Sequence, residues 1–93
     1  MKGKTMRKLI ATIPKNAREE IRVALDEFEA GDVTYNMLSL RVFYEDGGEH
    51  RPGRNGLNVR VELLPAILGA LRDAETEARK AGLLGSEEGK RAA

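Results

Sequence analysis

From Met37 to Tyr44 apolar and polar positions alternate without a break. Leu38, Leu40, Val42 and Tyr44 fall on one side of an extended chain; Met37, Ser39, Arg41 and Phe43 fall on the other. A period of two over eight residues predicts a strand with two distinct faces. Leu9-Ile10-Ala11-Thr12-Ile13, stopped by Pro14, predicts a second strand at a sheet edge, with Lys15-Asn16 as the turn after it. Glu45-Asp46-Gly47-Gly48-Glu49 predicts a tight turn, and Ala30-Gly31-Asp32 another break. Leu57 and Val59 alternate with Asn58 and Arg60 and predict a short last strand.

The period then changes. Leu64, Ile67, Leu68, Leu71, Ala74 and Ala78 make one apolar stripe at helical spacing. Pro65 suits a first turn, Arg79-Lys80 a last turn, and Gly82 a C-terminal cap. The segment Ala17 to Glu29 reads both ways. Ile21, Leu25 and Phe28 keep helical spacing in an Ala-, Glu- and Arg-rich stretch, which composition favours as helix. Ile21, Val23 and Leu25 also alternate with Arg22, Ala24 and Asp26, as in a strand.

On the strand reading, Ile21, Val23 and Leu25 join Leu38, Leu40 and Val42 on one apolar face, for the helix stripe to cover in two layers. The opposite face carries Arg22, Phe28, Arg41 and Phe43. Arginines interleaved with aromatic rings suit an unpaired nucleic-acid strand, guanidinium groups meeting phosphates and rings stacking on bases. The ordinary role of such residues is plainer: rings on a sheet usually fill a core or an interface, and open-face arginines are usually solvated.

Between the turn and the last strand lies His50-Arg51-Pro52-Gly53-Arg54-Asn55-Gly56-Leu57. Its Pro-Gly and Asn-Gly pairs predict turns. Glycine also lets a backbone approach a phosphate chain, with Arg51 and Arg54 to pair with it. No Lys-Ser or Lys-Thr follows at P-loop spacing.

Composition narrows the classes. Ninety-three residues make one small domain with a modest core, so association between copies is expected. Sixteen basic and 15 acidic residues leave a net charge of +1, so nucleic-acid binding would need a segregated basic face. With no cysteine there is no disulfide, thiolate metal site or cysteine nucleophile, which suits a reducing compartment. The apolar run after Lys2, Lys4, Arg7 and Lys8 is too short for a signal peptide or a membrane span. A cytoplasmic, nucleoid-associated protein is expected. Residues 1–8 are expected as a flexible basic arm, 9–84 as the folded domain, and 85–93 as a disordered tail.

Catalytic chemistry finds no support. His50 is the only histidine and cannot anchor a transition metal without partners; a contact beside Arg51 is its expected role. Glu45, Asp46 and Glu49 are too few for a hard-cation cage and suit a turn. Ser39 and Ser86 have no base in a recognisable motif. No enzyme activity, cofactor or metal is expected.

Leu40-Arg41-Val42-Phe43-Tyr44-Glu45-Asp46-Gly47-Gly48-Glu49, then Arg51-Pro52-Gly53-Arg54-Asn55-Gly56-Leu57, then a short strand and a helix, resembles the positive cofactor four family of transcriptional coactivators. Ile13-Pro14-Lys15-Asn16-Ala17-Arg18-Glu19-Glu20-Ile21-Arg22-Val23 is similar to the lead-in of bacterial-type, single-stranded DNA-binding members. The resemblance covers roughly Leu9 to Leu84. It implies an α+β fold: a curved antiparallel sheet of about four strands, then one C-terminal helix, as a homodimer. It assigns Glu19 to Phe28 to a strand, against helix propensity.

The resemblance also implies sequence-tolerant binding of single-stranded DNA, in transcriptional coactivation or regulation or in DNA maintenance. RNA polymerase or other transcription components would then be partners. Arg41, Tyr44, Phe28, Arg51 and Arg54 match contact positions of the family, and Arg22 and Phe43 join them by lying on the expected face. Tyr44 alternates onto the apolar side and needs a bulge or a strand end to reach DNA. Three departures predict weaker, less salt-sensitive binding: Asn55 where lysine is common, Asp26 and Glu29 around Phe28, and a longer Glu29–Asn36 loop. The apolar helix residues Leu68, Leu71 and Ala78 supply a surface for a second chain. A dimerisation or protein-interaction module with weak or no nucleic-acid binding is the alternative. Single-stranded RNA is a further ligand class, although no feature here reads a 2′-hydroxyl.

Overall fold

The computed structural model describes residues 3–85. Four antiparallel strands follow in chain order, β1 (Gly3–Pro14), β2 (Glu19–Ala30), β3 (Val33–Asp46) and β4 (Glu49–Arg60), and their spatial order is the same. A 3₁₀ turn, Val61–Leu63, leads into the helix α1 (Leu64–Lys80). This is the expected α+β architecture of a four-stranded antiparallel sheet and one C-terminal helix. The strands belong to one compact unit, ending at Val61, and the helix to a second, beginning at Glu62.

β2 and β3 pair without a slip over 12 residues, from Glu19 opposite Tyr44 to Ala30 opposite Val33. The register puts Ile21 beside Val42, Val23 beside Leu40 and Leu25 beside Leu38. Opposed residues of an antiparallel pair share a face, so these six make one apolar face. Matched β-branched and leucine pairs over its length outweigh the helix propensity of Ala, Glu and Arg in the same segment.

Three expected boundaries move. The Glu29–Asn36 loop is a two-residue hairpin: Ala30 pairs with Val33 across Gly31-Asp32. Gly31 has φ +64°, the first-position glycine that a II′ turn uses. Extension of β3 back to Val33 therefore replaces a long loop. The basic arm of residues 1–8 is, from Gly3, part of β1, because β2 is long enough to offer pairing partners as far as Glu29. Arg7 there bonds to Glu27 on β2 and to Asn36 on β3, so this basic side chain is matched across the sheet. Third, His50–Leu57 is strand rather than loop, since β4 starts at Glu49 after the Gly47-Gly48 turn, with φ +64° and +89°. The tail expected at 85–93 lies, from Ser86, outside the described residues.

Both sheet edges are interrupted. β1 shifts register between Met6 and Lys8 and again between Leu9 and Ala11. β4 shifts between Gly56 and Pro52, where Val42 alone faces Gly53, Arg54 and Asn55. Bulges and an edge proline disfavour strand-to-strand growth with another sheet.

Asn16 ties the β1–β2 connection. Its Oδ1 accepts from the backbone N–H groups of Arg18 (2.9 Å) and Glu19 (3.0 Å), and its Nδ2 donates to Glu19 Oε1 at 2.8 Å. Lys15 Nζ donates to the same oxygen at 2.9 Å. Hydrogen bonding from Lys15 first, and from Asn16 next, holds the Glu19 carboxyl below its ordinary pKa.

In its own unit α1 has Pro65 in the first turn. It ends in a Schellman motif: Leu83 N–H donates to Ala78 C=O at 2.8 Å and Gly82 N–H to Arg79 C=O at 3.1 Å, with Gly82 at φ +77°. No residue of α1 is buried, and Leu68 and Leu71 are exposed. Among the described residues no helix is long and apolar enough to cross a membrane, which says nothing of a β-barrel.

Candidate nucleic-acid interface

Alternation turns the other half of β2 and β3 to the second face. Glu20, Arg22, Ala24, Asp26 and Phe28 stand opposite Phe43, Arg41, Ser39, Met37 and Tyr35. β4 adds Pro52 beside Phe43, Gly56 beside Arg41 and Arg60 beside Met37. Arg22, Phe28, Arg41 and Phe43 therefore share one face, as the alternation predicts, with Phe28 at the Tyr35 end and the other three at the Phe43 end.

Two arginines lie on two rings at opposite ends of this face. The Arg22 guanidinium sits 4.2 Å from the centre of the Phe43 ring, and its Nε donates to Glu20 Oε2 at 2.6 Å. The Arg60 guanidinium lies 4.8 Å from the centre of the Tyr35 ring. Each pair gains from the ring quadrupole and leaves a flat, cationic stacking surface. Tyr35 and Phe43 lie eight positions apart along β3, about 27 Å of extended chain. Tyr35 is hidden by the loop expected at 29–36, and the continuing alternation Val33, Tyr35, Met37 is the signal for it; for Arg60 the signal is its alternation with Leu57 and Val59 in the last strand.

Arg41 stands between these ends, and the bulge in β4 positions it. Its Nη1 donates to Gly53 C=O at 3.1 Å and to Arg54 C=O at 3.3 Å. The bulge turns those carbonyls inward, where a regular ladder would spend them on β3. Gly56 lets the guanidinium lie flat on the strand: a Cβ there would come within 2.7 Å of Arg41 Cζ and of Leu40 C=O. So the Pro-Gly and Asn-Gly pairs serve a bulge and a close approach. Both bonds use Nη1, and a guanidinium carries five N–H donors in all.

The remaining expected contacts fall elsewhere. Tyr44 pairs with Arg51 and Glu19 in register with the apolar face, and its ring is exposed. Arg51 is held by Asp46 at 2.9 Å and Glu49 at 3.6 Å. Arg54 projects from the bulge and is exposed. His50 Nε2 lies 3.6 Å from Glu20 Oε1, so it meets the carboxylate that also holds Arg22.

The middle of the face is a cavity of about 260 Å³ lined by Leu9, Arg22, Ala24, Asp26, Ser39, Arg41, Phe43 and Pro52, with all four strands contributing. Asp26 and Ser39 are 5% and 7% exposed. No cluster of His, Cys, Asp and Glu among the described residues could hold a metal ion. Chemically the face offers stacking rings, guanidinium donors and a recessed acceptor. Comparison with family models, with curated proteins and with solved structures finds no match to this chain.

Proposed function

We propose that this chain binds single-stranded DNA along the polar face of its sheet, without reading most of the sequence, as a homodimer acting in transcriptional coactivation or regulation or in DNA maintenance. The observation that carries the reading is the row of rings and guanidinium groups on one face: Tyr35 with Arg60, Arg41, and Phe43 with Arg22. Rings stack on any base, and arginines neutralise phosphates whatever base they carry. Duplex DNA keeps its base faces inside the stack and cannot use the rings. The resemblance to the positive cofactor four family supports the same activity, a place at the nucleoid in the cytoplasm, and RNA polymerase or other transcription components as partners.

Burial supports the homodimer. Among the described residues the buried apolar ones are Ala24 and Leu38, while Leu57, Leu63, Leu68 and Leu71 are exposed. A chain of 93 residues with that little core gains stability by covering apolar surface with a second copy.

The test is a fluorescence titration of a labelled unpaired oligonucleotide and of its duplex at several salt concentrations. The expected result is tighter binding of the unpaired strand, weakening as salt rises. Equal affinity for the two, or no response to salt, overturns the proposal. Arg41→Ala with Arg54→Ala is expected to weaken the unpaired complex, and unchanged binding would remove those arginines from the site.

A second reading has its own observation. Arg22 is paired with Glu20, and Arg51 with Asp46 and Glu49. A face whose cations are neutralised within the chain also suits a dimerisation module without nucleic acid. Under that reading neither DNA form binds, and light scattering still reports a dimer.

A further inference from the structure

The cavity in the polar face holds an unexpected charge. A surface that only tracked phosphates would gain nothing from a carboxylate there, yet Asp26 lies at 5% exposure between Arg22 and Phe28 along β2. Asp26 and Ser39 share the lining with Leu9, Ala24, Phe43 and Pro52 and with the guanidinium-bearing Arg22 and Arg41, so apolar walls and polar groups both face the space. At about 260 Å³ the space is just below the usual range of small-molecule sites and suits a fragment the size of one nucleobase. Resting on the single-stranded DNA reading, we propose that this cavity is a base pocket that prefers guanine.

The chemistry singles out one base. An ionised carboxylate only accepts, through two oxygens with about four lone-pair directions, so a partner within the protein does not exhaust it. Guanine alone presents two adjacent donors on its Watson–Crick edge, N1–H and the 2-amino group. Adenine and cytosine each present one amino donor beside a ring-nitrogen acceptor, and thymine one N–H between two carbonyls. Against a carboxylate those neighbouring acceptors repel. The Ser39 hydroxyl can donate to guanine O6, next to N1–H. The same carboxylate repels phosphate, which leaves the backbone to Arg22 and Arg41 and turns the base inward. Unpaired strands are read in this way, by bases splayed onto rings and bonded along the Watson–Crick edge. Tolerance along the rest of the strand comes from stacking; this pocket adds a bias at one position.

The experiment is a titration of the full chain with twelve-residue oligothymidylate and with the same strand carrying one central deoxyguanosine, deoxyinosine, 1-methyldeoxyguanosine or deoxyadenosine. The deoxyguanosine strand is expected to bind roughly tenfold tighter than oligothymidylate, deoxyinosine less so because it lacks the 2-amino group, and 1-methyldeoxyguanosine and deoxyadenosine no more tightly than thymidine. Asp26→Asn is expected to remove the preference, so that the deoxyguanosine strand and oligothymidylate bind it alike. Equal binding of all five strands overturns the pocket and leaves single-stranded DNA binding in place, as does a preference that survives in Asp26→Asn. Binding of none overturns both. The five-strand series on the unaltered chain decides the question even if Asp26→Asn does not fold.

Discussion

The two faces of the sheet come from the same residues of β2 and β3, one position apart, and they are covered differently. The apolar face holds Ile21, Val23, Leu25, Leu40 and Val42 only half-buried, with Leu38 alone sealed at 3% exposure. The polar face buries Ala24, Asp26 and Ser39. Polarity and burial therefore run opposite to the simplest rule, that apolar positions go inside. Arg22, Arg41 and Phe43 line the same cavity as Ala24, Asp26 and Ser39. The polar face carries its own arginines and rings, which is the surface the proposed function uses. The apolar face has short branched side chains that cannot cover one another, which motivates the proposed second copy.

The contrast can be broken at several points. Leu38→Ala strikes the best-buried apolar side chain, and a loss of about 2–5 kcal/mol is expected in a urea titration. A loss below 1 kcal/mol would mean that the apolar face contributes little to stability. Gly56→Ala places a methyl group against Leu40 C=O and Arg41. About 1–3 kcal/mol of destabilisation is expected, with weaker oligonucleotide binding as Arg41 leaves its seat; retained affinity would show that this seat is not needed. Phe43→Ala is expected to cost about 1–3 kcal/mol of binding free energy per stacked base, read by titration of the folded variant. A variant that loses stability but no affinity would return Phe43 to a packing role.

The smallest effect lies at the β1–β2 turn. Glu19 has a folded-state pKa below its unfolded one, chiefly through Lys15. Its contribution is therefore present above the unfolded pKa and lost as pH falls through the folded pKa. Glu19→Gln is expected to flatten that part of the acid limb in a pH series of thermal melts, and an unchanged limb would refute the assignment.

Alternation makes both faces legible in the sequence, because in a strand each side chain's face depends only on its parity. Parity placed Arg22, Phe28, Arg41 and Phe43 correctly, and it placed Tyr44 on the opposite side. Composition misdirects at Glu19 to Phe28, where Ala, Glu and Arg favour a helix and only pairing with β3 decides. The bulge could not be read from Pro52-Gly53 and Asn55-Gly56, since the same dipeptides make a loop or a strand irregularity depending on the neighbouring strand. Asp26 was visible as an acidic residue near Phe28; its recess in a cavity spanning four strands was not, because depth depends on register across the sheet.

Methyl-resolved NMR of the chain titrated with oligothymidylate tests the central claim most directly. Ala24 and Met37 report from the polar face, and Leu38, Leu40 and Val42 from the apolar one. Large shifts at Ala24 and Met37, with the other three unmoved, are the predicted result. Shifts confined to Leu38, Leu40 and Val42, or none at saturating oligonucleotide, would contradict it.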